Sequence, residues 1–365
     1  MGKLAVYRYF SLMFLVITVV VMFFTFAGLF GGSVDPVGNT AMAMLVYILP
    51  VLIILNFLLL IYWLARRRWK WIALPVLPIL CSIPYMGTLV QLRSENTQAD
   101  KEEGLKMATY NVQVFGHETT GFKAEDILVV MNRQKVDVLC MQEYSEVSGD
   151  KKNSERYKEV FPYMAVGRQD MAICSKYPIK ESKTILFSDD EHGLATNNSA
   201  MWADINVKGK VVRVFNVHLE TTGFNRAMHQ ASKIQATGRS VEDNRLVRAI
   251  YGNYTLGMIV RAGQSRMVAE EIAASKVPVI VCGDFNDVPY SYTYNTMLGD
   301  LVDGFKECGS GFNYTFREPK KPVRIDYIFH DESMEGMTYY TKDISYSDHL
   351  PVFMKLTLPA ATEQP

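Results

Sequence analysis

Two patterns of apolar residues divide this chain. Up to residue 92 they form three long runs, at about 10–30, 41–64 and 71–92, with no charged residue inside any of them. Each approaches the ~20 residues an α-helix needs to cross a bilayer. Polar breaks separate them, Gly31-Gly-Ser-Val-Asp-Pro-Val-Gly38 and Arg66-Arg-Arg-Trp-Lys70. A cleaved signal peptide is the alternative for the first run. Its apolar core, however, exceeds the ~7–15 residues usual there, and a second run follows. Pro75, Pro78 and Pro84 kink the third run, which packing against neighbouring helices tolerates. The pattern predicts a membrane anchor of about three helices over 1–92.

After a polar linker at 93–105, the runs become short and rich in Val, Ile, Leu and Met. Strands are expected at 106–112, 136–143, 171–178, 201–207, 210–220, 277–286, 324–330 and 352–358. Several are apolar throughout, as strands buried on both faces are. Helical periodicity falls between them, at about 123–133, 226–239, 244–274 and 291–298. The Lys208-Gly209 turn between two of the strands implies an antiparallel hairpin. This order predicts an α/β fold of two packed sheets with helices outside, over 106–358, followed by a tail at 359–365.

Charge refines the picture. The 38 basic and 38 acidic residues balance, but residues 1–105 hold eight Lys+Arg and five Asp+Glu, which leaves 30 against 33, net −3, in the remainder. Such a domain is not built for strong nonspecific attraction to nucleic acid. Lys3, Arg8 and the cluster Arg66, Arg67, Arg68 and Lys70 flank the apolar runs, whereas the first loop carries only Asp35. Positive-inside bias places the amino terminus and the Arg cluster in the cytoplasm, and three crossings then deliver the domain to the far side. If 71–92 does not cross, that topology inverts. No Cys-x-x-Cys spacing supports zinc. Cys140 and Cys282 read as core thiols, and Cys174 and Cys308 are left as a possible pair.

Six polar blocks stand at the ends of the apolar runs: Ala108-Thr-Tyr-Asn111, Leu139-Cys-Met-Gln-Glu143, Phe215-Asn-Val-His218, Val279-Ile-Val-Cys-Gly-Asp284-Phe-Asn286, Arg324-Ile-Asp326 and Ser347-Asp348-His349. Taken singly, each has a bland explanation. Asx-turn chemistry suits Asp284 and Asn286, and Glu143 reads as a solvated strand end. Asp326 is harder to dismiss, because it interrupts a core strand and a charge there needs a partner. Asp, Asn, Glu and His gathered at strand tips suit a hard divalent cation and a phosphate ester. No Gly-rich phosphate loop is present, which excludes kinase and nucleotide-loop readings.

In this order the blocks resemble the endonuclease/exonuclease/phosphatase superfamily, which includes DNase I-like nucleases, inositol polyphosphate phosphatases and neutral sphingomyelinases. The resemblance implies a four-layer α/β sandwich of two mixed sheets, a Mg²⁺ or Mn²⁺ cofactor, and attack of water on phosphorus. It implies that Glu143, with Asn111 and Asp348 beside it, holds the metal. His218, Asp284, Asn286, Asp326 and His349 would be catalytic, with Asn286 and His218 also contacting substrate. Abasic-site endonucleases of this kind carry an acidic residue where this chain has Gln113, which weighs against that substrate.

The expected function is hydrolysis of a phosphodiester or phosphomonoester beside a membrane. The substrate classes left open are a lipid headgroup, a small phosphoester and nucleic acid. The alternatives are a DNase I-like endonuclease acting outside the cytoplasm and a non-catalytic membrane receptor. Residues 221–266 carry seven Lys or Arg, among them Arg226, Arg239, Arg245, Arg248 and Arg261. They read either as solvated amphipathic helices or as a basic flap, with Arg226 binding substrate. The sequence implies no particular protein partner.

Overall fold

The computed structural model describes residues 3–94, 99, 102–113, 124–144, 151–187, 198–221, 243–317, 323–344 and 346–358. It divides into two compact units, one of 1–88 with 289–295, the other of 89–288 with 296–365.

The first unit is helical: α1 (Lys3–Gly31), α2 (Pro36–Ala43), α3 (Leu49–Ala65), α4 (Trp69–Cys81) and α5 (Ile83–Met86). Its interior holds polar as well as apolar side chains, Val46, Leu49 and Ile53 among the latter. Polar groups lie between α1 and α3, where Asn56 Nδ2 donates to Thr25 Oγ1 at 2.7 Å and Trp63 Nε1 to Thr18 Oγ1 at 3.0 Å. Large apolar side chains point outward, Val16, Phe23, Leu58 and Ile61 among them. Helices facing lipid show this arrangement, because interhelical hydrogen bonds are the strong contacts and lipid solvates the rest. Tyr7–Gly31 and Pro36–Ala65 are long and apolar enough to cross a membrane. The expected third run differs from the sequence reading. It is split at Ser82 into a helix of 13 residues and one of 4, with Pro75 and Pro78 inside the first. At ~1.5 Å per residue the longer piece rises only about 20 Å, short of the ~30 Å hydrocarbon core.

The second unit is built on strands β1 (Val90–Gln91), β2 (Leu105–Asn111), β3 (Val138–Gln142), β4 (Tyr163–Val166), β5 (Ala172–Ser175), β6 (Ile179–Leu186), β7 (Ser199–Val207), β8 (Lys210–His218), β9 (Val279–Asp284), β10 (Val302–Asp303), β11 (Gly311–Phe312), β12 (Asp326–His330), β13 (Gly336–Thr341) and β14 (Val352–Leu356). Two six-stranded mixed sheets run β10-β12-β9-β8-β7-β6 and β13-β14-β2-β3-β5-β4, while β1 pairs with β11. Only β8/β9 and β2/β3 are parallel among these pairs. One core lies between the sheets, where Met107, Val138, Cys140, Val214, Ile280, Cys282 and Ile328 meet. A second lies outside the β2/β3 sheet, where Ala108, Leu139 and Cys174 meet Ile127 and Met131 of a helix at Ala124–Arg133. Alternate residues of one strand feed both cores, which is why these strands read as continuous apolar runs.

The sequence missed β4, β6, β10 and β13. They form the four sheet edges, and β6 (Ile-Lys-Glu-Ser-Lys-Thr-Ile-Leu) is mostly exposed. A charged edge strand has no buried face to mark it and resists pairing with other chains. Residues 226–239, read as a helix, lie outside the described residues, and 243–273 form one helix of 31 residues, Asp243–Ala273. The possible Cys174–Cys308 bridge does not form: all five cysteines are free, with Cys174 in the outer core and Cys308 against the inner one.

Two local features carry energetic weight. Lys135 ends the Ala124–Arg133 helix at φ 57°, a left-handed position that costs a non-glycine residue about 1 kcal/mol. Arg324 and Asp303 form a bidentate pair with neither side chain exposed, the guanidinium lying 4.7 Å from the Tyr327 ring centroid. Removing one member leaves the other as an uncompensated buried charge. Asp303→Ala is therefore expected to destabilise the second unit by about 3–5 kcal/mol, measured by denaturant unfolding of the full chain; a loss under about 1 kcal/mol would show that the guanidinium finds other partners.

Candidate active site

The strand register assembles the polar blocks at one end of the sandwich. In one sheet His218, Asp284 and Asp326 stand side by side on β8, β9 and β12, His218 opposite Asp284 and Asp326 opposite Asp284. From the other sheet come Asn111 at the end of β2, opposite Gln142, Glu143 just after β3, and Ser347–His349 just before β14. Gly283 makes the close approach possible: at φ 138° an added Cβ would fall 1.9 Å from the Val217 carbonyl oxygen.

Beneath this end, two amides tie the sheets together. Gln142 Nε2 donates to Thr109 Oγ1 and Asn216 Oδ1 at 2.9 and 2.5 Å, while Asn216 Nδ2 donates to the carbonyls of Met141 and Ala172 at 2.9 and 3.0 Å. The sequence signal was present, since each is an amide inside an apolar run, but neither was singled out.

Asp284, 1% exposed, is the centre of the site. Its Oδ1 accepts the Asn286 N–H at 2.8 Å, and Oδ2 accepts from Asn111 Nδ2 at 3.2 Å and Asn286 Nδ2 at 3.3 Å. His349 Nε2 and His218 Nε2 face the same Oδ2 at 3.6 and 3.8 Å. On its other side His349 Nδ1 bonds Asp326 Oδ2 at 2.9 Å. Thr315 Oγ1 receives the N–H groups of Ile325 and Asp326, both at 3.0 Å, and Phe316 lies against the His349 ring with centroids 4.8 Å apart. Thr315 and Phe316 went unnoticed in the sequence, lying within no charged or strand-end block.

Asn111 turns its amide toward the carboxylates, donating to Glu143 Oε1 at 3.0 Å, while its Oδ1 accepts the Gln113 N–H at 3.0 Å. In this arrangement its amide nitrogen orients Glu143, and its oxygen keeps a second lone pair. Glu143 and Asn286 hold φ of 55° and 52°. Asn tolerates that region, but for Glu143 it stores strain of order 1–3 kcal/mol, a feature common at functional positions. Glu143, Asp348, Asn286, His218 and His349 line a cleft of ≈ 390 Å³ with Gln169, Asp170, Asn198 and Thr221.

The electrostatics separate the two histidines. Burial holds His218 below its ordinary value, against the pull of Asp284. Burial also opposes charge on His349, but Asp326 and Asp284 outweigh it and raise that imidazole to about 10. Burial pushes Asp284 up to about 6 despite His349, and pushes Glu143 upward against the Asn111 hydrogen bond. The site thus carries one neutral and one charged imidazole at neutral pH.

Of the basic residues at 221–266, Arg226 and Arg239 lie outside the described residues. Arg261 is buried and internal, donating to the Glu220 carbonyl at 3.0 Å and facing Asp287 Oδ2 at 3.4 Å. It braces the loop after β9 and contributes nothing to a basic flap; Arg248 is exposed.

The model of the Endonuclease/Exonuclease/phosphatase family matches residues 108–349, the span that holds every block above. The chain belongs to this family. Family members are phosphoester hydrolases. Residues 11–89 match a domain of unknown function (DUF8431). No curated protein sequence matches the chain. The fold is similar to that of an endonuclease/exonuclease/phosphatase from Beutenbergia cavernae (19% identity, 72% of this chain and 74% of that one, TM-score 0.51). A family protein from Bacteroides vulgatus (20%, 70% and 100%, 0.48) and the human Nocturnin catalytic domain with bound sulfate (16%, 70% and 94%, 0.48) were also found.

The His349 shift makes a prediction for the metal-free protein. A pKa raised from 6.5 to about 10 stabilises the fold fully below pH 6.5 and loses that contribution as pH rises through 10. In EDTA, the imidazole resonance followed by NMR should not titrate below about pH 8, whereas in Asp326→Asn it should titrate at lower pH. A midpoint near 6.5 in the unsubstituted protein would show the ion triad to be absent.

Proposed function

We propose that this family member is a divalent-metal-dependent phosphoester hydrolase held at a membrane by its helical unit. The observation that carries this reading is the triad Asp326–His349–Asp284, with contacts of 2.9 and 3.6 Å, beside a cleft containing Glu143, Asp348, Asn286 and His218. The donor chemistry fits a hard cation, because Glu143 and Asp348 both bring carboxylate oxygens to the cleft. Asp284, Asp326 and His349 cluster more tightly, but a charged His349 with both nitrogens facing carboxylates makes a poor ligand. Glu143 and Asp348 would therefore hold Mg²⁺ or Mn²⁺, with Asn111 orienting Glu143. Such an ion supplies Lewis acidity that offsets charge growing on the phosphoryl oxygens.

The chain's own groups account for the rest. Asp284 offers a carboxylate oxygen to the proton of an attacking water, and Asn286 fixes that carboxylate through its N–H. His218, kept neutral by burial, donates a hydrogen bond to a phosphate oxygen. His349, held by Asp326, places positive charge where negative charge develops and can give its proton to the leaving oxygen. Arg226 keeps a substrate-binding role on sequence grounds alone. A non-catalytic receptor would have no need of a charged imidazole between two buried carboxylates.

A substrate at a membrane, a lipid headgroup or a small phosphoester, is favoured over long duplex DNA. The remainder after residue 105 carries net −3, and burial of Arg261 removes one cation from the region read as a flap. The outward apolar side chains of α1 and α3 support the anchor.

Hydrolysis of bis-p-nitrophenyl phosphate by the full chain should require Mg²⁺ or Mn²⁺. Glu143→Gln should lower kcat by about 10²-fold or more with the fold intact. Full activity in EDTA would sink the metal mechanism. Efficient, strongly salt-dependent degradation of plasmid DNA would favour the nuclease reading instead.

Orientation has its own test. A reporter active only outside the cytoplasm should fail when fused at 68, given the basic flanks Lys3, Arg8 and Arg66–Lys70, and should work when fused after residue 365 only if 71–92 crosses despite its short, split helices. Failure of both fusions would mean that 71–92 does not cross.

A further inference from the structure

A short piece of the family domain belongs to the helical unit. Pro289–Asn295 lie inside the matched span 108–349, yet they pack with the helices of 1–88. They continue the loop after β9 that bears Asn286 and Asp287, with only Val288 and Pro289 intervening before Tyr290.

The contacts that hold this piece are specific. Gly32, in the turn after α1, is buried. An added Cβ there would overlap the Tyr290 carbonyl oxygen and fall 3.2 Å from Asn295 Nδ2, so only glycine lets the two backbones approach so closely. Asn295, in a helix at Tyr292–Leu298, donates from Nδ2 to the Gly32 carbonyl at 2.9 Å and to the Tyr290 carbonyl at 3.4 Å. The Tyr290 ring meets Tyr85 of α5 edge to face, with centroids 5.5 Å apart. Tyr292 OH donates to Asp35 Oδ2 at 3.5 Å, and Asp35 Oδ1 caps α2 by accepting the Val37 N–H at 2.9 Å. The polar break between the first two apolar runs is thus the seat of a segment 257 to 263 residues further along the chain.

On the other side of Val288 and Pro289, the loop has its own supports. The Asp287 carbonyl accepts from Tyr327 OH at 2.8 Å, and its carboxylate faces Arg261 Nε at 3.4 Å. The bland reading is that these contacts fix the loop and that Tyr290 merely packs. The backbone at Tyr290 argues for more. It stands at φ 70°, a region that a bulky residue keeps only when its surroundings hold it there. Pro289 fixes its own φ, so little chain remains in which a shift of Tyr290 could be absorbed before Asp287.

We propose that the helical unit sets the placement of the loop after β9, with Gly32 and Asn295 as positioning residues that clamp the chain at Tyr290. The proposal rests on the reading of Asp284 and Asn286 as catalytic. The helices then do more than tether, because turnover depends on how the turn at Gly32 fits one carbonyl. Displacing a reacting group by ~1 Å can cost about 10²-fold in rate, so a small misfit in the helical unit reaches the chemistry.

The test uses the full chain in a neutral detergent with Mg²⁺. Gly32→Ala places a methyl where the Tyr290 carbonyl stands. Gly38→Ala adds the same methyl in the same polar break, where nothing lies within 4 Å, and serves as the control. Asn295→Asp keeps the side-chain shape and removes both donations. Assayed well below the Tm of every variant, Gly32→Ala and Asn295→Asp should lower kcat for bis-p-nitrophenyl phosphate about tenfold, with KM changed less than about twofold. Gly38→Ala should match the unsubstituted chain. Methyl NMR gives a readout that needs no turnover: the Val288 methyl resonances should move in both clamp variants and stay in place in the control. Unchanged kcat in Gly32→Ala and Asn295→Asp, or Val288 resonances that do not move in either, would overturn the clamp. A folded but inactive unsubstituted chain would sink the catalytic reading instead, and the Val288 resonances would then decide the clamp alone.

Discussion

The candidate active site of this protein is arranged around one constraint, a carboxylate taken almost wholly out of water. Asp284 is 1% exposed, and a buried charge without partners would cost several kcal/mol. Three N–H donors from Asn286 and Asn111 reach its two oxygens, and two imidazoles face one of them. Each partner comes from a different strand end, so the carboxylate's demand for partners is also what holds the ends of β2, β8, β9 and β14 in register. Asp326 extends the same logic by one step, because the charge it places on His349 is the charge Asp284 needs. The Gln142–Asn216 tie sits directly beneath and keeps the two sheets from sliding.

Much of this was legible in the sequence, for a physical reason. A strand buried on both faces must be apolar along its length, so a charge or amide at its end stands out. Asp284, Asp326 and His218 were visible in that way, and so were the eight central strands. The edge strands were not, because β6 and its counterparts meet water on one side and lack that signature. The amide of Asn111 was expected as a ligand, and only three-dimensional geometry shows its oxygen accepting the Gln113 N–H. Arg261 was read with the solvent-facing cations. A helix of 31 residues can present an arginine to either face, and the sequence does not say which face meets Asp287 until the loop after β9 is in place.

The two units differ in where their large apolar side chains lie. In the second unit, apolar residues turn inward and charges outward, so water drives the packing. In the first unit apolar residues lie on both sides: Val46, Leu49 and Ile53 are buried together with Asn56, Thr18 and Thr25, while Val16, Phe23, Leu58 and Ile61 face out. Exposed apolar surface on that scale would be a liability in water. It becomes an asset in lipid, where an apolar exterior costs nothing and each interhelical hydrogen bond contributes about 0.6 kcal/mol. The change falls between Met86 and Leu105, where only the two-residue strand β1 lies. The placement of exposed apolar residues therefore marks the change between the two units more directly than length or net charge does.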